Sequence, residues 1–205
     1  MATSESQLEL FHCLPIPTGD LNDLYDFQAI RMVVVHNIML RGFNSMAYYC
    51  SEVEPNTTKF DAFLDYSSQI IELLHDHHSM EEEMYFPFLE RNLGAGAMSE
   101  NVSGHDTFKP QLEHLDDLVK QLRAHQTAWN MVEFRKATLD LLSPLRKHLG
   151  EEIDTLRAWK LKDHFTIAEL QGFESALEER IKSNSSLTKS LQLLYVNGDA
   201  VHAAW

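Results

Sequence analysis

Residues 75–87 read HDHHSMEEEMYFP, and this stretch decides how the chain folds and what chemistry it can support. Three histidines and three glutamates lie within its first nine positions. An apolar run, Met84–Phe88, follows at once and is typical of a helix that packs against other helices. The histidines and glutamates therefore either face solvent or point inward, where they could hold a metal ion.

A helical wheel divides this cluster between two faces. Successive helical residues are about 100° apart, so residues four apart share a face. His77 and Glu81 lie within roughly 30° of the centre of the apolar face, whereas His78 and Glu82 lie about 70° away, at its edge. The wheel therefore favours His77 with Glu81 as the inward pair and leaves His78 and Glu82 open. The polar face carries Glu72, Asp76, Ser79 and Glu83, and the apolar face carries Ile70, Leu74, Met84 and Phe88.

Clusters of proline, glycine and asparagine divide the chain into long helical segments. Asp20 is a candidate N-cap for the first, which runs to about residue 50, and the second spans about 58–92 with a kink or local break at Pro87. The third begins within 92–104 and ends near 125, and the fourth spans about 128–162. Long helices with short connections predict an all-α, antiparallel four-helix bundle.

The bundle is predicted to occupy residues 21–164 of the chain. Residues 1–20 are predicted to form an N-terminal arm. Residues 165–205 are predicted to form an extension, with a shorter helix at about 166–182 followed by an apolar tail.

The composition argues against several classes of partner. Acidic residues exceed basic ones by 14, and the sequence has no basic patch or aromatic RNA-binding motif, which argues against nucleic acid. The longest apolar runs, such as 32–35, are far too short to span a membrane. Two cysteines, and an N-terminus without a basic region followed by an apolar stretch, predict a reducing, cytoplasmic location.

Each predicted bundle helix carries a histidine within its apolar stripe. His36 lies in the stripe of the first helix, His105 extends that of the third, and His148 with Glu152 interrupts that of the fourth. One such histidine alone is most simply an ordinary core residue. Together the set is different, because burying two carboxylates and four imidazoles without a cation would cost many kcal/mol. A pair of metal ions would remove that cost. The stripe of the fourth helix consists of Phe134, Leu141, Leu145, Leu156 and Trp159.

This ordered set resembles the hemerythrin-like family. The family pattern is a histidine on the first helix, HxxxE on the second, a histidine on the third and HxxxE on the fourth. The run HHSMEEEMYFP, from His77 to Pro87, matches the characteristic HHxxEExxxFP form, whose first histidine and first glutamate are the usual ligands. The resemblance covers roughly residues 25–160, and HDTFKPQLEHL and KHLGEEIDTL look like the fungal single-domain members.

The resemblance implies a non-haem di-iron site in the bundle, with O2 as a partner. Glu81 and Glu152 would bridge the two irons. Manganese or zinc could use the same ligands. A ferritin-like site would need two Glu-x-x-His units, and the clearest candidate here, Glu72 with His75, has its glutamate on the polar face. The terminal ligands implied are His36, His77, His105 and His148.

Lys109 marks a departure from the oxygen carriers of this family. Those proteins have a second histidine one turn along the third helix, where this chain has Lys109. The lysine lies near the edge of the apolar stripe and is interpreted first as a solvated residue, and alternatively as a group that steers a bound oxygen species. Four histidines and two glutamates would leave an open coordination position, unless His78 or Glu82 fills it.

Three functions are compatible with these features. The first, slightly favoured, is a di-iron oxidase or oxygenase acting on a small organic molecule in a pocket that the C-terminal extension could cover. The second is a module that binds or senses O2 or iron without catalysis. The third is a structural bundle whose site is vestigial or holds zinc. Tyr85 and Trp159 are candidates for the pocket wall, although both also fit as ordinary core aromatics. No residue beyond the ligands is assigned a catalytic role.

Overall fold

Four long helical segments enclose the core of the computed structural model, which describes residues 12–183, 193 and 195–198. Each long segment packs against the next in a closed ring, in the order α1, α2, α4, α5 and back to α1. The short connections make neighbours antiparallel, which confirms the predicted all-α bundle. The helices are α1 (Leu24–Tyr49), α2 (Thr58–Met80), α3 (Phe86–Leu93), α4 (Ser99–Arg123), α5 (Met131–Glu152), α6 (Ala158–Leu161) and α7 (Ile167–Ser183).

Polar N-caps begin α1, α2, α5 and α7, and the cap of α1 differs from the prediction. Asp23, not Asp20, caps α1, because its carboxylate accepts a hydrogen bond from the backbone N–H of Tyr25 at 2.9 Å. Asp20 accepts from the backbone N–H of Asn22, also at 2.9 Å, and so belongs to the preceding turn. The first helical residue of α1 is therefore Leu24.

The fourth predicted helix ends earlier than expected. α5 stops at Glu152, a 3-10 turn covers Ile153–Leu156, and Arg157 is extended with ψ 134°. The chain direction therefore changes before α6. As a result Trp159, which the sequence places in the apolar stripe, is 69% exposed, so that prediction is wrong.

A π-helical turn, Glu81–Tyr85, joins α2 to α3. The backbone N–H of Phe86 donates to the carbonyl of Glu81, five residues earlier, instead of four. Pro87 follows, and its missing N–H already weakens a regular helix at this point. The π turn is the local break that Pro87 predicts. It also shifts the register of the helix immediately after His77 and His78.

The C-terminal extension adds α7 to the outside of the bundle. Thr166 and Glu169 form a capping box at its start: the Thr166 N–H donates to Glu169 Oε2 at 2.8 Å, and the Glu169 N–H donates to Thr166 Oγ1 at 3.3 Å. α7 packs against α1 and buries Leu170, Phe173 and Leu177. The extra helix is therefore present as expected.

Only part of the predicted arm and tail can be compared with the structure. Residues 1–11 and most of 184–205 lie outside the described residues, so the predicted domain boundaries stay predictions. Within the tail, Leu193 and Asn197 are buried, and Asn197 Oδ1 accepts a hydrogen bond from the Tyr66 hydroxyl at 3.0 Å. Along the part of the chain that the structure describes, no helix is long and apolar enough to cross a membrane.

Candidate metal centre

The bundle interior brings together all six residues that the sequence nominates as ligands. α1 contributes one of them, α2 and its π turn two, α4 one and the end of α5 two. Five of these residues are at most 7% exposed, and the side chain of the sixth, His77, is 10% exposed. His78, which the wheel leaves at the edge of the apolar face, joins them. The cluster therefore consists of His36, His77, His78, Glu81, His105, His148 and Glu152.

The cluster has two ends. At the three-imidazole end, ligand nitrogens of His78, His105 and His148 lie within 4.8 Å of one another. At the two-imidazole end, ligand atoms of His36 and His77 lie within the same distance of one another and of the two carboxylates. Five imidazoles are thus divided three and two.

The two carboxylates lie between these ends. Glu81 Oε1 is 2.8 Å from His77 Nε2, and its Oε2 is 3.4 Å from His105 Nε2. Glu152 Oε2 is 3.5 Å from His36 Nε2 and 3.8 Å from His148 Nε2. Each carboxylate therefore contacts one imidazole of each end, as a bridging ligand would.

Most polar atoms that face the centre lack hydrogen-bond partners, although His36 Nε2 and His77 Nε2 lie 3.1 Å apart. Both oxygens of Glu81 and of Glu152, and Nε2 of His78, His105 and His148, are buried without a hydrogen bond among the described residues. Buried polar atoms are normally satisfied, because each unpaired one costs about 1–3 kcal/mol. All of these atoms are types that bind transition metals. The donor set therefore fits bound cations.

Neighbouring groups orient two of the imidazoles from outside the centre. His36 Nδ1–H donates to the carbonyl of Leu149 at 2.9 Å, which directs Nε2 inward. His105 Nδ1–H donates to Glu82 Oε1 at 2.7 Å, a carboxylate–histidine pair common around metals. Glu82, which the sequence leaves open as a ligand, thus contacts His105 through the ring nitrogen that faces away from the centre.

Burial sets the charge of most of the imidazoles. It lowers the pKa of His36 and takes the pKa of His78 well below its usual value. Burial, followed by the nearby His105, lowers the pKa of His148 to about 3. Burial also opposes protonation of His105, but two neighbouring carboxylates outweigh it and raise its pKa. Three of the rings are therefore held neutral, the form in which imidazole binds a metal.

The environment shifts the pKa values of the two carboxylates in opposite directions. Burial opposes ionisation of Glu81, but the charge of His77 and the close approach of His105 and His36 outweigh burial and hold its pKa well below the usual range. Burial, and then the charge of Glu81, raise the pKa of Glu152 well above its usual value. Without a cation, a proton is therefore bound more readily by Glu152 than by Glu81. A bound cation would replace that proton.

Gly104 gives His148 the room that it occupies. A Cβ at position 104 would lie 2.3 Å from His148 Nδ1, closer than real side chains approach. The glycine immediately precedes His105 on α4, so one short stretch serves two imidazoles. No spacing in the sequence indicates this role, because the contact joins residues of different helices.

Replacing Gly104 by alanine is expected to weaken metal binding about 10–100-fold, the effect typical of residues that orient metal ligands. The added methyl group would displace the His148 ring. Competition against a chelator measures the affinity. Gly172→Ala on α7 is the matched control, because its Cβ would meet no described atom within 4 Å. Equal affinity for Gly104→Ala and wild type would contradict this role.

A cavity of about 180 Å³ borders the two-imidazole end. His77, Glu81 and Tyr85 form part of its wall, and residues of α1, α2 and α7 form the rest. Tyr85 therefore lies where the sequence suggests, whereas exposed Trp159 does not line it. Lys109 is exposed, in keeping with its interpretation as a solvated residue.

Comparison with known proteins agrees with this geometry. The sequence profile of the Hemerythrin HHE cation binding domain matches residues 31–160, which include every residue of the cluster. The chain belongs to this family. Membership shows a cation-binding helical bundle, and the His and Glu cluster is able to hold metal. The match confirms the resemblance to the hemerythrin-like family that the sequence motifs indicate.

One relative is a fungal protein from Cryptosporiopsis sp. (strain 8999), the "Dimeric xanthone biosynthesis cluster protein R11". The two are 32% identical over 144 residues, which make up 69% of this chain and 53% of the relative. The chain thus spans about half the length of the curated relative that it matches. No solved structure matches the chain.

Proposed function

We propose that this protein holds two iron ions in the cluster, binds O2 there and uses it to oxidise a small organic molecule. The observation that carries the proposal is the cavity whose wall includes His77 and Glu81. A carrier needs room for O2 alone, whereas an oxidase or oxygenase also needs a place for its substrate beside the ligands.

The donor set supports two ions rather than one. Five imidazoles divided between two ends, with two carboxylates that contact both, offer more donors than one ion can take. Mixed imidazole and carboxylate ligation suits iron, and also manganese or zinc. Two ferrous ions would supply two electrons to O2. The proposed ligands are His36, His77, His78, His105 and His148, with Glu81 and Glu152 as bridges.

The position of the cavity supports catalysis on a second substrate. The end with fewer imidazoles is the end that borders the cavity. A coordination position left free there would open onto it. The protein's own contribution is to hold the ligands, exclude bulk water and position the substrate.

The relative's name adds support of a different kind. According to this name, the relative belongs to a biosynthetic cluster for dimeric xanthones, which are aromatic small molecules. A hemerythrin-type domain in such a cluster is consistent with oxidation of an organic substrate. The match covers only 53% of the relative's length, so the relative's activity as a whole cannot be assigned to this chain.

His78 supports a second candidate, reversible O2 binding or sensing without catalysis. It brings the number of imidazoles to five, the number that the oxygen carriers of the family use. A centre with more of its positions filled by the protein leaves fewer for reaction. The two candidates predict different fates for bound O2.

Anaerobic loading with Fe(II), followed by O2, tests these candidates. We expect two irons per chain and a new visible absorption band on exposure to O2. An oxidase or oxygenase loses this band faster when a substrate is supplied, whereas a carrier keeps it and releases O2 under vacuum. A chain that binds only zinc, or no iron, overturns the proposal in favour of a structural or vestigial site.

A further inference from the structure

We infer that the cavity beside His77 and Glu81 is a binding site for a neutral, largely apolar molecule the size of one six-membered ring. That the bound molecule is a substrate rests on the proposed function. That the cavity binds such a molecule rests on the geometry alone. It names the chemical class of substrate and makes α7 the element that selects it.

The volume sets the size of the ligand. The cavity measures about 180 Å³. An engineered apolar protein cavity of about 150 Å³ binds benzene. One ring with a small substituent therefore fits, and a fused three-ring molecule does not fit entirely inside. A larger ligand could place one ring in the cavity and leave the remainder outside.

The lining sets the polarity of the ligand. Most of the wall consists of aliphatic and thioether side chains, and thioethers adapt to and contact aromatic rings favourably. Such a wall offers no compensation for a buried charge. The apolar lining residues are Met32, Val35, Leu73, Met80, Leu177 and Ile181.

Away from the ligands, the two polar residues of the wall, Arg31 and Tyr85, already pair with neighbouring groups. The Tyr85 hydroxyl donates to Gln28 Oε1 at 2.6 Å, and Arg31 forms an ion pair with Glu174. Arg31 also donates to Gln28 Oε1 at 3.2 Å, and Gln28 Nε2 donates to Glu174 Oε1 at 2.8 Å. A carboxylate or phosphate on the ligand would have to break the Arg31–Glu174 pair. The site therefore favours a neutral ligand.

α7 forms one wall and places the entrance. Leu177 lines the cavity and is buried, while Ile181, one turn further on, lines it and is 40% exposed. The mouth is therefore beside Ile181. The Arg31–Glu174 pair joins α1 to α7 and holds this wall in place.

A larger space elsewhere does not compete for this role. A groove of about 420 Å³ lies between α3 and α7, with Phe88 and Phe173 in its wall. None of the cluster residues lines it. A molecule in that groove would have no contact with the proposed ligands.

Titration of benzene, toluene and benzoate into the full chain tests the inference, with methyl NMR shifts as the readout. We use both metal-free and zinc-loaded protein for benzene and toluene, and compare benzoate with them in the metal-free protein, where no metal ion can bind its carboxylate. Benzene and toluene are expected to bind, and benzoate at least about tenfold more weakly, because its charge would be buried unpaired. Equal or tighter binding of benzoate, or no binding of any of the three, overturns the inference.

Two variants locate the binding in this cavity. Val35→Phe fills it and is expected to weaken toluene binding at least about tenfold, whereas Val34→Phe, at the partly buried neighbour outside the lining, retains it. Ile181→Trp narrows the mouth of the cavity. Because position 181 is exposed, this variant is expected to fold, and toluene is expected to exchange more slowly. Unchanged binding in Val35→Phe, or unchanged exchange in Ile181→Trp, places the ligand elsewhere and overturns the inference.

This experiment separates the two proposals because it needs neither iron nor O2. If the protein binds toluene but its iron centre does not react with O2, the proposed function is overturned and the inferred binding site stands. An O2-reactive centre in a protein that binds no ring keeps the proposed function and overturns the site.

Discussion

Replacing Glu81 by alanine is expected to reduce iron binding from two ions per chain to at most one, with at least about a hundredfold loss of affinity. Glu81 is the only cluster residue of the π turn, and its two oxygens lie against His77 and His105, at opposite ends of the cluster. If Glu81 bridges two ions as proposed, its removal would take a donor from both at once. Metal analysis after anaerobic loading and desalting measures the stoichiometry.

The loss of metal should not come from unfolding. In the metal-free protein, the charge of Glu81 helps to raise the pKa of Glu152, so the two buried carboxylates oppose each other. Removing one of them relieves that opposition, and the free energy of unfolding of the metal-free variant is expected to be no lower than that of the wild type. Denaturant unfolding of both metal-free proteins checks this.

Glu83 provides the matched control for Glu81. It belongs to the same π turn, but its side chain is 60% exposed and pairs with Arg180 at 3.4 Å. Glu83→Ala is expected to bind two irons with unchanged affinity, because exposed pairs contribute little. Two irons in Glu81→Ala, held as tightly as in wild type, would refute the bridging role.

The fold could be predicted largely from local signals. Apolar periodicity and turn residues mark four long helices, and short connections leave few ways to arrange them. The end of α5 carries no such signal: Arg157 is extended with neither proline nor glycine beside it. The sequence therefore predicts a helix that continues past Glu152 and places Trp159 on its apolar face, whereas Trp159 is exposed.

The site was predictable where one helix supplies both members of a pair. His148 and Glu152 are four apart on α5, and the periodicity alone places them inward. The inner face of the second helix is harder to predict, because the apolar residues that define it on the wheel include Met84 and Phe88. These two residues lie at and beyond the π turn, where the helical register changes. The buried residues of α2 itself place the centre of its inner face between His77 and His78. They include Phe60, Leu64, Ser67, Ile71 and Leu74.

Two neighbours of the cluster depend on contacts between helices. Glu82 reaches His105 from the π turn, and Gly104 makes room for His148, a residue of another helix. No spacing within one helix reports either contact. The only local signals are the doublet HH with EEE, and a glycine directly before a buried histidine. Both signals are too common to assign a role without the structure.

Replacing His78 by alanine is expected to remove one of two irons and leave the other. His78 is part of the three-imidazole end, where its ring centroid lies 4.2 Å from that of His105. Its loss would leave two imidazoles there, while His36 and His77 remain intact at the other end. Iron analysis should therefore give about one ion per chain, without the visible band of a coupled pair.

His75 provides the control within the same helix. Its side chain is 48% exposed and lies 3.8 Å from Asp116, away from the cluster. His75→Ala is expected to keep both irons, because it changes the histidine count of α2 without touching the centre. Imidazole added to His78→Ala is expected to restore the second iron, since the vacated space suits the free ring. If His78→Ala holds two irons at wild-type affinity without added imidazole, the centre uses only the four histidines of the family pattern, and His78 is an ordinary core residue.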